Sequence, residues 1–117
     1  MRAANLTKSP VHTTRWRLLE TIVEAAPDVS GVYALWKGGE IIYYGRATAS
    51  IRACLCEHLR GERGTCSRKA THYSWELCER PAPRESELLS EFWAVYSRFP
   101  SCNEAETISR AMKKSGA

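Results

Sequence analysis

The stretch GVYALWKGGEIIYYG, Gly31 to Gly45, decides how the rest of the chain is read. Residues 32–36 and 41–45 are rich in β-branched and aromatic types, and KGGE between them is a strong reversal signal, so the stretch predicts a β-hairpin. It carries Tyr33, Tyr43 and Tyr44. Side chains alternate faces along a strand, so the loop length decides which of these tyrosines share a side. A two-residue loop, Gly38-Gly39, pairs Lys37 with Glu40 and Tyr33 with Tyr44. A three-residue loop, Lys37 to Gly39, pairs Trp36 with Glu40 and Tyr33 with Tyr43, and Gly39 suits its left-handed position. The three-residue loop is the expectation, with Tyr44 on the opposite face.

Upstream, TTRWRLLETIVEAAPDVS has apolar residues at 16, 18, 19, 22 and 23, a helical period that predicts a leading helix ended by Pro27. Downstream, Ser50 is placed to cap a helix over IRACLCEHLRG, which stops at Gly61. ERGTCSRKA reads as a polar loop and THYSWELCE as a third strand bounded by RPAP. Pro83 suits the first turn of a helix over PRESELLSEFWAVYSRF, ended by Pro100. A short helix after Asn103 and a frayed KKSGA end complete the order α-β-β-α-β-α-α. A hairpin plus one later strand makes a small sheet that needs helices over it, which is an α+β sandwich. The expected division is a tail and leading helix over 1–30, a main unit over 31–103, and a short helix and tail over 104–117. Trp36, Trp75 and Trp93 are expected in the core, and Trp16 in the docking of the leading helix.

With 117 residues the chain has room for one core, and 44% hydrophobic with 26% charged residues is ordinary for a soluble domain. No apolar run approaches the roughly 20 residues of a membrane helix. The basic N-terminus lacks the apolar stretch of a secretory signal, so a cytoplasmic location is expected. Five cysteines, an odd number without paired spacing, favour reduced thiols over a disulfide framework. Zinc is disfavoured, because Cys54 and Cys56 point roughly 200° apart on a helix. The net charge is +4, and Arg46, Arg52, Arg60, Arg63, Arg68 and Lys69 fall within 24 residues, opposed by Glu57 and Glu62. Such a cluster is either a solvated helix and loop or a phosphate-binding face.

GVY followed ten positions later by YYG resembles the two-part signature of the GIY-YIG nuclease superfamily, with Val32 for the first Ile and Tyr44 for the second. SIRACLCEHLRG, HYSWEL, RESELLSEFW and FPSCN follow in the family's order, so the resemblance covers residues 31 to 103. It implies three antiparallel strands flanked by helices. It also implies hydrolysis of DNA phosphodiesters with one divalent cation, Mg²⁺ or Mn²⁺. Tyrosines, a helix Arg, a Glu and an Asn would form the site. The chemistry asks for those types. A hard cation takes carboxylate oxygen and keeps several waters, an Arg fork matches phosphate oxygens, and a Tyr orients or deprotonates the water. With an ordinary pKa near 10, a phenol is a poor base at neutral pH unless the metal or an Arg lowers it.

On this resemblance Tyr33, Tyr43, Arg52, His58, Glu91 and Asn103 are the candidate catalytic residues, with Glu91 as metal ligand and Glu87 in reserve. Arg46, Arg60, Arg63, Arg68 and Lys69 are the candidate nucleic-acid contacts. Glu85 lies on the same helix, but Glu91 stands twelve positions before Asn103, as the family pattern asks. The chain departs from the family at the arginine. Counting back four from His58 lands on Cys54, which carries no fixed positive charge. Arg52 by a register shift, Arg46 or Arg60 reaching in, or an impaired site are the outcomes left open. The expected function is a metal-dependent endonuclease acting on DNA, with specificity drawn from DNA structure or from a partner protein. The alternative is a catalytically impaired nucleic-acid-binding module of the same fold.

Overall fold

The computed structural model describes residues 6–106. In chain order these form α1 (Pro10–Thr13), β1 (Trp16–Arg17), α2 (Glu20–Val23), β2 (Gly31–Lys37), β3 (Glu40–Ala47) and α3 (Ile51–Leu59). A 3₁₀ turn (Cys66–Lys69), β4 (His72–Leu77) and α4 (Pro81–Tyr96) follow, and residues 101–106 are helical. The fold is α+β, with one antiparallel sheet in the order β1-β4-β2-β3 and helices on both faces.

The sheet has four strands where three were expected. The extra one comes from the segment read as a leading helix. Trp16 and Arg17 pair with Tyr73 and His72 of β4, and only Glu20–Val23 beyond them is helical. The outer edge of β4 offers backbone hydrogen bonds that a short amphipathic helix would leave unmet. The Trp16 indole lies parallel to Trp75 with ring centres 5.5 Å apart, and Leu18 turns into the core. Sheet pairing and aromatic contact thus override the helical period. Residues 6–30 are therefore packed into the same unit as the hairpin. Of the expected C-terminal segment, 104–117, everything beyond 106 lies outside the described residues, as does the KKSGA end.

The hairpin turns over two residues, with Lys37 opposite Glu40, rather than over the expected three. Gly38, not Gly39, takes the left-handed conformation, at φ +60°. The expected sharing of faces still holds, because a β-bulge shifts the register between Leu35 and Trp36. Trp36 stands opposite Ile41 and Leu35 opposite Tyr43, so Ile42 and Tyr43 both turn to one face. Tyr33 is opposite Gly45 and joins Tyr43 in one core, while Tyr44 lies in the other. The bulge delivers the parity that an extra loop residue would have delivered.

The two cores lie on opposite sides of the sheet. Leu35, Ile42, Ile51, Leu55 and Tyr73 pack with Tyr33 and Tyr43 on the α3 side. Val11, Val32, Ala34, Trp36, Leu88 and Phe92 pack with Tyr44 on the α4 side. Trp93, expected in the core, is exposed, its ring tilted against Phe99 with ring centres 5.0 Å apart. Gly45 leaves room for the Tyr33 ring, since a Cβ there would stand 2.3 Å from its Cζ. With Tyr33 fully buried the ring has nowhere to go. Gly45→Ala is expected to lower unfolding stability by about 1–3 kcal/mol, read from the urea midpoint.

The cysteines correct the reduced-thiol expectation. Cys66 and Cys102 form a disulfide, and Cys54, Cys56 and Cys78 are free. The partners are 36 positions apart, so no local spacing announces them, yet the fold sets their Cα atoms 5.6 Å apart.

Candidate active site

Tyr33 on β2 and Tyr43 on β3 point to the same face, with ring centres 6.2 Å apart. His58, on the last turn of α3, meets both rings edge-on, at 5.5 Å from Tyr33 and 5.2 Å from Tyr43. The Tyr33 hydroxyl lies 2.8 Å from His58 Nε2, and His58 Nδ1 lies 2.8 Å from the Ser67 hydroxyl. α3 is held in place by the expected Ser50 cap, whose side-chain oxygen accepts from the Ala53 amide. The Tyr43 hydroxyl donates to Glu106 at 3.0 Å. Two cavities open at this point, of about 470 and 460 Å³, and Tyr43, Arg63 and Glu106 line both. His58 and Ser67 belong to the first; Arg46, Glu85 and Asn103 belong to the second, at the outer edge of β3.

Burial decides the protonation states. It pushes both phenols up, Tyr33 well above the ordinary tyrosine value, and the Arg63 guanidinium pulls the other way without winning. Both tyrosines are neutral donors at neutral pH, not bases. Burial, and then Arg63, lower His58 to about 4, so it is a neutral imidazole that accepts at one nitrogen and donates at the other. Between pH 4 and 6.5 the unfolded chain holds a proton here that the folded chain does not. Stability is therefore expected to be full above about 6.5 and to fall as the pH drops towards 4. The loss is on the order of 3 kcal/mol. Urea midpoints at pH 5 and 7 check it, with His58→Gln expected to flatten the dependence.

Arg63 is the cation at the tyrosines, a place for which the sequence offers Arg52 first and Arg46 or Arg60 as alternatives. Its Nη2 lies 3.5 Å from Cys54 Sγ, and its Nε donates to Glu57 at 2.9 Å. The small Cys54 thiol leaves room for a guanidinium arriving from the loop after the helix. Arg52 instead points away, donating to the Ala26 carbonyl at 3.0 Å and facing Asp28 at 4.0 Å.

The carboxylate also differs. Glu91 lies across the sheet, on the Tyr44 side, where it accepts from the Thr7 hydroxyl at 3.1 Å and faces His12 at 3.9 Å. His12 in turn lies 2.6 Å from the Tyr44 hydroxyl. Glu87 is exposed and pairs with Arg84 at 3.0 Å. Glu85 is the α4 carboxylate on the cavity wall, 3.7 Å from Arg46. Asn103 clasps the strand edge. Its carboxamide accepts from the Tyr44 amide at 2.8 Å and donates to the Tyr44 carbonyl at 2.9 Å. Of the other basic residues, Arg46 lines the second cavity, Arg60 is paired with Glu62, Arg68 covers Gly61, and Lys69 ends the 3₁₀ turn.

No model of a known protein family matches the chain, and no curated protein matches it. Among the described residues no helix is long and apolar enough to cross a membrane, and no group of three or more His, Cys, Asp or Glu gathers as metal ligands. A magnesium-like cation asks for less. It keeps several waters and takes one or two carboxylates, and Glu85 and Glu106, both carboxylates, line the second cavity. Glu91 and Glu87 do not line that cavity.

Proposed function

We propose that the chain is a cytoplasmic, metal-dependent endonuclease of GIY-YIG type that hydrolyses DNA phosphodiester bonds, with site choice supplied by DNA structure or by a partner protein. The observation that carries the reading is the meeting, at one pair of cavities, of Tyr43, the Arg63 guanidinium and the Glu85 and Glu106 carboxylates, backed by Tyr33 and His58. Arg63 offers a planar fork to nonbridging phosphate oxygens. Tyr43, held neutral by burial, would turn its hydroxyl from Glu106, where it donates at 3.0 Å, to an oxygen of the reacting group and orient it. Arg46, exposed beside Glu85, extends the positive surface along the strand edge for the flanking phosphates. Glu85 and Glu106 would hold the cation, which when bound supplies charge neutralisation and an activated water.

One observation favours the impaired binding module as a second reading. Tyr33 is fully buried, with its hydroxyl engaged by His58, so it does not reach a substrate in this arrangement. Both readings require salt-sensitive DNA binding, and they part on cleavage. Plasmid, single-stranded, branched and flap DNA incubated with and without Mn²⁺ form the test. Cleavage is expected with the metal, reduced about 100-fold in Glu85→Gln and unchanged in Glu91→Gln. DNA binding without cleavage on any of these substrates would leave the binding module as the function.

A further inference from the structure

The Cys66–Cys102 bond lies in the wall of the first cavity, and each sulfur anchors a segment whose neighbouring residues hold the site. Cys66 opens the 3₁₀ turn and precedes Ser67, the partner of His58 at 2.8 Å. Cys102 precedes Asn103, which clasps Tyr44, and lies one helical turn before Glu106, which accepts from Tyr43 at 3.0 Å. One covalent bond therefore ties the two walls that set His58 and the Tyr43 hydroxyl. Cys54, Cys56 and Cys78 are free, so the bond is not one member of a disulfide framework. A single disulfide at a cavity, in a chain with an ordinary core and spare thiols, matches redox-sensing use better than wholesale stapling.

We propose that this bond is a redox control on the cavity: oxidised, it holds both walls against Tyr43 and His58; reduced by a dithiol, it releases them. The inference rests on the cavity being the functional site, but the device is readable without any cleavage assay. In the reduction a thiolate of the dithiol attacks the half-buried Cys66 sulfur and Cys102 leaves as a thiolate that takes up a proton. The second sulfur of the dithiol then closes its own disulfide and releases Cys66 as a thiol. Two electrons and two protons reach the protein, and the dithiol is oxidised.

The test uses the full chain, air-oxidised or treated with dithiothreitol, beside Cys102→Ser and a Cys56→Ser control. Titration in denaturant is expected to find three thiols before reduction and five after it. Amide exchange at residues 64–70, 101–106 and Tyr44 is expected to quicken about tenfold on reduction and in Cys102→Ser, while β2 and β4 hold their protection. Five thiols in the oxidised sample, unchanged exchange, or exchange quickened evenly over the whole sheet would overturn the proposal; the last outcome makes the bond a general staple. Exchange that shifts as expected while neither form cuts DNA would remove the nuclease reading and leave the redox control standing. Equal cleavage by both forms with unchanged exchange would do the reverse.

Discussion

Arg63→Ala is expected to slow DNA cleavage by about 100- to 1,000-fold, the usual effect of removing one charge-stabilising donor from a reacting oxyanion. Arg52→Ala is expected to change it by no more than about threefold, since an exposed or half-exposed pair contributes little. The contrast follows from geometry. Arg63 lines both cavities, and its charge is felt by Tyr33, Tyr43 and His58 alike. Arg52 is bound to the Ala26 carbonyl on the far side of α3. A loss of cleavage in Arg63→Ala has one structural rival, a collapsed fold, and His58 separates the two. Arg63 helps keep His58 unprotonated, so in a folded Arg63→Ala protein the His58 titration moves up from about 4. Histidine NMR that shows this shift together with slow cleavage assigns the loss to the missing charge. Full cleavage by Arg63→Ala would remove Arg63 from the chemistry.

How far the sequence carried depends on which kind of information each element needed. The strands and α3 were legible because alternation, Gly-Gly and a Ser cap are local signals, and α4 was legible from its prolines. The shared face of Tyr33 and Tyr43 was legible too, but for the wrong local reason: a bulge at Ile42, not the length of the turn, sets it. β1 was not legible, because two residues become a strand only when the edge of β4 is there to pair with them. The Cys66–Cys102 pair and the Tyr43–Glu106 contact join segments far apart in the chain, and spacing says nothing about them. The choice among Glu85, Glu87 and Glu91 was a choice between helix faces 100° apart per residue, and a counting rule picked the face that looks at Thr7 and His12. Arg63 left one readable trace. Cys54, small and uncharged where a basic residue was wanted, marks a space that another chain segment fills.

Asn103→Ala is expected to cost about 2–5 kcal/mol of unfolding stability, because it leaves a buried donor and a buried acceptor unmet. β3 is an outer strand of the sheet, and at Tyr44 the Asn103 carboxamide supplies both hydrogen bonds that a further strand would have made, at 2.8 and 2.9 Å. A carboxamide suits that place, since it carries a donor and an acceptor on one carbon, in one plane, without charge at any ordinary pH. Asn103→Asp keeps the acceptor and sets an oxygen against the Tyr44 carbonyl in a site only 8% exposed. The aspartate is then held in its protonated form, which donates, so its folded pKa lies above the unfolded value. The folded state binds the extra proton, and stability is lost as the pH rises through that raised pKa. Asn103→Asp is therefore expected to be more stable near pH 4 than near pH 7 once the His58 contribution, which runs the other way, is removed by comparison with the parent chain. The reading of Asn103 as a metal or substrate contact makes the opposite demand: cleavage lost, unfolding midpoint unmoved. Urea denaturation of the two variants at both pH values decides between a clasp on the strand and a group in the chemistry, because only the clasp lets protonation restore the fold.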